Sequence, residues 1–364
     1  MQNGLDDVVV SETVLSEVDG EAGRLILRGH PLAHLAGTWR FEAVARLLFD
    51  GFFPDLPPLD VFSRELGEAR VTVFADLVKS ADPSLWTLPP FEAMRALTAR
   101  LKDGEDLASA LRLLAAPAVF TAAALRRARG EAPVPPDPTR SQAEDCLRML
   151  TRAVPSAAAA AALDTYLVTV ADHGLNASTF AARVVASTRA GLTSSVLAGL
   201  CALKGPLHGG APGPVLDMLD AIGTADQARN WITAALDRGE RLMGFGHRLY
   251  RVRDPRADAL KAALRRLTDG SGEETHAAPR LALAEAVEAE ALRQLARHKP
   301  DRPLETNVEF YTALLLDRLG YPRSAFTCVF AMGRAAGWIA HAREQAETGR
   351  LLRPRSRYIG PIAA

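Results

Sequence analysis

Two histidines sit in the same unusual setting. His208 lies in Gly205-Pro206-Leu207-His208-Gly209-Gly210, and His247 lies in Gly244-Phe245-Gly246-His247-Arg248. Glycines interrupt helices and let a ligand or a second backbone come very close. A lone histidine is more often structural than catalytic. Two of them, each framed by glycines between strong helical segments, bring the catalytic reading level with the structural one, because imidazole moves protons near neutral pH.

Arginines supply the second kind of chemistry. Arg248, Arg251, Arg253 and Arg256 fall within nine residues, and a guanidinium binds carboxylate or phosphate through paired hydrogen bonds. The plainer reading of the same stretch is a solvated helix start, with Asp254 as N-cap before Pro255. Arg334 is the only formal charge between Arg323 and Arg343. Phe326, Val329, Phe330, Gly333, Ala336, Gly337 and Ala340 form a helical stripe around it that should be buried. A buried guanidinium without a partner is very costly, so an internal carboxylate or an anionic ligand must answer it.

Several other chemistries lack their residues. His30 and His34 are spaced i, i+4, but the HExxH pattern and a third ligand are missing. Gly244-Phe245-Gly246 lacks the third glycine of a dinucleotide fingerprint, and neither a GxxxxGK[ST] loop nor a GxSxG elbow occurs. His276, His298 and His341 fall in loop or amphipathic contexts and read as solvated. Cys146, Cys201 and Cys328 are too far apart for metal-ligand spacing or a disulfide framework, which suits a reducing, cytoplasmic compartment.

The elements that must position these groups are helical. Periodic apolar residues mark helices over 41–48, 59–69, 91–102, 106–128, 141–153, 157–171, 177–203, 214–222, 227–238, 256–267, 281–297, 307–318 and 322–347. The one strand signal is a hairpin, Val14–Val18 and Leu25–Leu27 around Asp19-Gly20-Glu21-Ala22-Gly23. The fold class is mainly α. With 364 residues the chain exceeds one ordinary core, so two domains, or one domain plus a large appendage, are expected. By composition Pro133–Pro138 is a candidate linker, and 268–276 a polar loop. Lys plus Arg and Asp plus Glu are 43 each, which argues against a general grip on nucleic acid or anionic membrane. The start shows no signal-peptide pattern, and the uncharged run 153–163 is too short to span a bilayer.

The chain resembles the citrate synthases, of the short bacterial type that includes 2-methylcitrate synthases. The resemblance is carried nearly end to end by Gly20–Gly29, Asp172-His-Gly-Leu-Asn-Ala-Ser-Thr-Phe180, the GPLHGG segment, GFGHRLYRVRDPR, Asn307-Val-Glu-Phe310 and Arg353-Pro-Arg-Ser356. It implies an all-helical fold with a large domain (1–209 and 321–364) and a smaller one (210–320) closing over a cleft. Pro133–Pro138 then becomes a loop inside the large domain. The implied assembly is a homodimer with active sites shared across subunits, the small-residue helix 177–187 suiting close helix approach.

The reaction implied is condensation of acetyl-CoA with oxaloacetate, followed by thioester hydrolysis. His208 matches the enolate-stabilising histidine, and His247 the one that polarises the keto group. Glu309 matches the base, where the family pattern has Asp. His173, Arg256 and Arg334 match oxaloacetate ligands, Arg353 one supplied by the partner, and Arg251 a contact to CoA phosphates. No metal or prosthetic group is implied. A 2-methylcitrate synthase using propionyl-CoA, or an oxaloacetate- and CoA-binding paralogue slowed by Glu309, are the alternatives.

Overall fold

The computed structural model describes residue 5 and residues 8–209, 212–269 and 277–361. Three short strands open the fold, β1 (Ser16–Asp19), β2 (Arg24–Leu27) and β3 (His30–Pro31), paired antiparallel with Ser16 opposite Leu27 and Asp19 opposite Arg24. Fifteen α-helices follow among the described residues. The first nine are α1 (Leu32–Leu35), α2 (Phe41–Phe49), α3 (Leu59–Val73), α4 (Pro90–Thr98), α5 (Leu107–Ala128), α6 (Gln142–Thr151), α7 (Ala157–Val170), α8 (Ala177–Ala186) and α9 (Leu192–Leu203). Then come α10 (Pro212–Ile222), α11 (Ala228–Asp237), α12 (Pro255–Asp269), α13 (Ala277–His298), α14 (Val308–Arg318) and α15 (Phe326–Thr348).

The last helix, α15, is the central post of the larger helical group and packs against α5, α7, α8 and α9. Helices α10 to α14 form a smaller group, in which α12 packs both on α14 and back onto α7. Helix α12 thus carries its N-terminal Arg256 at the junction between the two groups.

The expected single helix over 177–203 is two helices. The reason is a distant side chain: Asp103 accepts the backbone N–H of Thr193 (2.8 Å) and of Ser194 (3.2 Å), so it caps a new helix start at Leu192. The Pro133–Pro138 stretch is a pinned loop and not a linker. Buried Arg70 donates to the carbonyls of Asp137 (3.3 Å) and Arg140 (2.6 Å), and Asp145 pairs with Arg70 at 2.9 Å. The polar segment expected over 268–276 lies outside the described residues beyond Asp269. Helix α5 is long and apolar enough to cross a membrane, but 83% of its apolar window is buried inside the protein, as in a core helix.

Candidate active site

The site is built where α7 ends against α15. Three residues on one face of α15 meet three successive residues at the exit of α7. Arg334 Nε donates to the Val170 carbonyl (2.7 Å), Gly337 N donates to the Ala171 carbonyl (3.1 Å), and His341 Nε2 donates to Asp172 Oδ2 (3.2 Å). Only glycine allows this approach at 337, since a Cβ there would lie 2.5 Å from the Ala171 carbonyl oxygen. The next residue in the chain is His173.

His341 is therefore not solvated, as its amphipathic setting suggested; it is wholly buried. Its Nδ1 faces Arg183 Nη1 at 2.9 Å. Arginine can only donate, so Nδ1 accepts and the ring proton sits on Nε2, facing Asp172. Ser16 also donates to Asp172 Oδ2 and accepts the backbone N–H of Gly174 (2.9 Å). Burial would push the Asp172 carboxyl up, but His341, Arg334 and Ser16 together hold it below its ordinary value.

Arg334 is buried with no carboxylate in ion-pair distance among the described residues. Its guanidinium stands 4.8 Å from the centre of the Phe330 ring. Burial lowers its pKa to about 10, an effect opposed by Asp172 and reinforced by Arg256. It remains charged at neutral pH, so it is poised for an anion.

The segment 244–256 is stitched to the start of α14. Gly246 N donates to the Glu305 carbonyl (2.7 Å), Asn307 N to the Gly244 carbonyl (2.9 Å), and Asn307 Nδ2 to the Gly246 carbonyl (2.8 Å). Gly244 and Gly246 have φ of 84° and 81°, the left-handed conformation that glycine adopts at little cost. His247 follows directly and is half-buried. His247 Nδ1 accepts the backbone N–H of Leu249 and of Tyr250, both at 3.1 Å, so the neutral ring carries its proton on Nε2. Burial first, then Arg256, pushes its pKa down to about 4. Arg256 Nη2 lies 3.3 Å from that Nε2. Two donors converge on one place, which an anion or a carbonyl oxygen satisfies.

Asp254 is N-cap to α12, as its place before Pro255 suggested, but it is buried and not solvated. It grips Arg256 through Nε (2.9 Å) and Nη2 (2.7 Å), and its Oδ2 also accepts the N–H of Val308 (3.1 Å). Glu309 follows on the first turn of α14, its N–H capped by Asn307 Oδ1 at 3.0 Å. Burial raises the Glu309 pKa, with Arg256 and Arg241 opposing.

His208 lies on the Arg334 side, its ring centre 6.5 Å from that of Phe330. Its Nε2 lies 2.8 Å from Ser178 Oγ, which also accepts from Trp338 Nε1 (3.1 Å). The Ser178 hydroxyl also donates to Asn176 Oδ1 at 2.8 Å, the atom that caps the N–H groups of Ser178 and Thr179, both at 3.1 Å. Burial and then Arg334 lower the His208 pKa to about 4, so the ring is neutral at neutral pH. His173 is buried with its Nε2 3.2 Å from Tyr250 Oη, and its ring stands 5.6 Å from that of His247. Burial, Arg256 and Arg334 push its pKa well below the ordinary value.

The fold therefore brings His173, His247 and Arg256 together, with Arg334 and Glu309 near enough to feel the Arg256 charge and His208 near enough to feel that of Arg334. Arg251 stands apart, exposed, with Glu21 at 4.0 Å. Arg353 is exposed in the extended segment after α15 and makes no hydrogen bond or ion pair to a described residue. His30 leans on the ring of Trp39 at 5.4 Å. No cluster of His, Cys, Asp and Glu suited to a metal ion occurs among the described residues.

Sequence reasoning missed Asp172, Ser178 and Tyr250 as members of the site. Asp172 and Ser178 flank motif residues already singled out, and a carboxylate beside a histidine at a helix end was the available signal. Tyr250 carried no signal beyond lying between Arg248 and Arg251.

The sequence matches the family described as "Citrate synthase, C-terminal domain" over residues 4–355. It is 37% identical to a citrate synthase of Haloferax volcanii, over 99% of this chain and 96% of that one. It is 36% identical to a 2-methylcitrate synthase of Mycobacterium tuberculosis, over 99% of this chain and 91% of that one. Among solved structures, the ternary complex of citrate synthase from Thermoplasma acidophilum with carboxymethyl coenzyme A and oxaloacetate matches with a TM-score of 0.84. That match is at 27% identity and covers 100% of this chain and 97% of the other. The chain belongs to the citrate synthase family.

Proposed function

We propose that the protein condenses acetyl-CoA with oxaloacetate and hydrolyses the resulting thioester to citrate and CoA. The observation that carries this reading is the convergence of His247 Nε2 and Arg256 Nη2 beside the unpaired Arg334, a cationic seat for a dicarboxylate bearing a keto oxygen. His247 hydrogen-bonds the keto oxygen and makes its carbon electrophilic. Glu309 removes a proton from the methyl carbon of acetyl-CoA, and neutral His208 donates to the enolate oxygen that forms. The enolate carbon attacks the keto carbon, the new alkoxide takes the His247 proton, and water then displaces the CoA thiol from the citryl thioester.

A raised pKa makes Glu309 a stronger base toward a carbon acid, which suits this role. His173 joins the seat for oxaloacetate. The domains are taken as 1–209 with 321–364, and 210–320, closing on the dianion held by Arg334 on one and Arg256 on the other. In a homodimer, Arg353 would complete the partner's cleft, and Arg251 would meet CoA phosphates. The reaction needs no metal or prosthetic group, and the placement is cytoplasmic.

Thiol release with oxaloacetate and each acyl-CoA tests this directly. Turnover with acetyl-CoA supports it. Preference for propionyl-CoA makes the protein a 2-methylcitrate synthase, a distinction of one methylene worth only about 1–3 kcal/mol. Oxaloacetate binding without turnover would leave a binding paralogue.

A further inference from the structure

Resting on that reading of the reaction, we propose that Tyr250 is a positioning residue that orients both oxaloacetate-side histidines, and that the tip of the β1–β2 hairpin holds it in place. Three contacts of this one residue meet three members of the site. Its backbone N–H bonds His247 Nδ1 at 3.1 Å and helps to fix the proton on Nε2. Its ring lies 4.8 Å from the His247 ring and 5.7 Å from the Arg256 guanidinium carbon. Its hydroxyl reaches His173 Nε2 at 3.2 Å. Tyr250 is only 3% exposed, and burial pushes its hydroxyl above the ordinary tyrosine range, so it keeps its proton and both donates and accepts. Packing alone would be met by any large apolar side chain. The hydroxyl on His173 is what such a side chain would lack.

The hairpin explains how a loop residue is held this firmly. Arg251 N donates to the Gly20 carbonyl at 2.9 Å. A Cβ on Gly20 would lie 2.3 Å from the Leu249 carbonyl oxygen and 3.4 Å from Tyr250 N, so space, and not backbone conformation, requires glycine there. The other end of β1 is Ser16, bonded to Asp172 and Gly174 on either side of His173. One hairpin therefore braces the flanks of His173 and the flanks of Tyr250, and the Tyr250 side chain closes the circuit between them.

The test is Tyr250→Phe, which keeps the ring and removes the hydroxyl. Loss of one hydrogen bond to His173 should raise both the calorimetric Kd and the KM for oxaloacetate about fivefold to tenfold. The KM for acetyl-CoA at saturating oxaloacetate should stay near the wild-type value. Gly20→Ala, which drives a methyl into the Leu249 carbonyl, should raise the oxaloacetate KM as well, while Glu21→Gln at the same turn leaves it unchanged. A Tyr250→Phe enzyme with the thermal midpoint and oxaloacetate constants of the wild type overturns the proposal. If Tyr250→Phe lowers the thermal midpoint, Gly20→Ala decides in its place, and unchanged oxaloacetate affinity there overturns it. Wild-type protein that releases no thiol defeats the reading of the reaction itself, whereas an active wild type with an unaltered Tyr250→Phe defeats only this inference.

Discussion

Asp254 and Val308 are joined by a hydrogen bond of 3.1 Å from the Val308 N–H to the carboxylate that also grips Arg256 at 2.7 Å. One buried carboxylate thus fixes the Arg256 guanidinium and the first turn of the helix that carries Glu309. On the proposed mechanism, a substrate seat and a base that share an anchor keep a fixed separation. Replacing Asp254 by Asn leaves Arg256 buried without its counter-charge, a loss of about 3–5 kcal/mol by the usual cost of breaking a buried pair. Denaturant unfolding should show that loss, and kcat should fall with it, because base and seat separate. Wild-type stability and turnover in Asp254→Asn would show that the anchor is dispensable.

Glu309 stands where the family pattern has Asp. Basicity is no obstacle, because the two unperturbed pKa values differ by only ~0.4 units. Reach is the issue, since a misplacement of about 1 Å can cost ~10²-fold in rate. The Asn307 cap and the Asp254 anchor fix the backbone at Glu309, and on the proposed mechanism that backbone is fitted to the longer side chain. Glu309→Asp should therefore be slower than the wild type. Glu309→Gln should lose most condensation while binding oxaloacetate nearly as well. Turnover surviving in Glu309→Gln would remove the residue from the mechanism.

The pH profile follows from the same burial. Glu309 must be ionised to act, and its pKa is raised above the ordinary glutamate value. Activity should be full well above that raised value and fall as pH drops through it. Burial pushes the His208 and His247 pKa values down to about 4, so they contribute no limb near pH 6.5. The acid limb of kcat/KM should accordingly lie above pH ~4.3, the unperturbed value, and move in Glu309→Asp. A limb at the ordinary histidine value that ignores substitution at Glu309 would assign it to an imidazole.

The helices and the glycine-framed histidines were legible because both are local signals, carried by a 3.6-residue period and by residues that interrupt it. Arg334 was legible for a related reason: a lone charge in an apolar helix must be answered. What was hidden depends on contacts between distant segments. Asp103 splits the expected 177–203 helix from ninety residues away in sequence, at Thr193. His341 read as solvated because it lies where the helix turns amphipathic, yet Asp172 and Arg183 enclose it. Tyr250 acts through a hydroxyl whose partner, His173, is 77 residues distant.

Arg353 is expected to act in the neighbouring subunit. It follows α15 in an extended segment, exposed and without a partner among the described residues, although its motif matches an oxaloacetate ligand. A guanidinium that serves the neighbouring subunit's cleft accounts for both facts. Arg353→Ala and His208→Ala should each be inactive alone, the first for want of a carboxylate ligand, the second for want of the enolate donor. When the two proteins are mixed and exchange subunits, each heterodimer has one cleft with both defects and one with neither. With random exchange in a two-fold dimer, half of the dimers are mixed, and about a quarter of wild-type activity should return. Verified exchange with no recovery would place Arg353 outside the partner's active site.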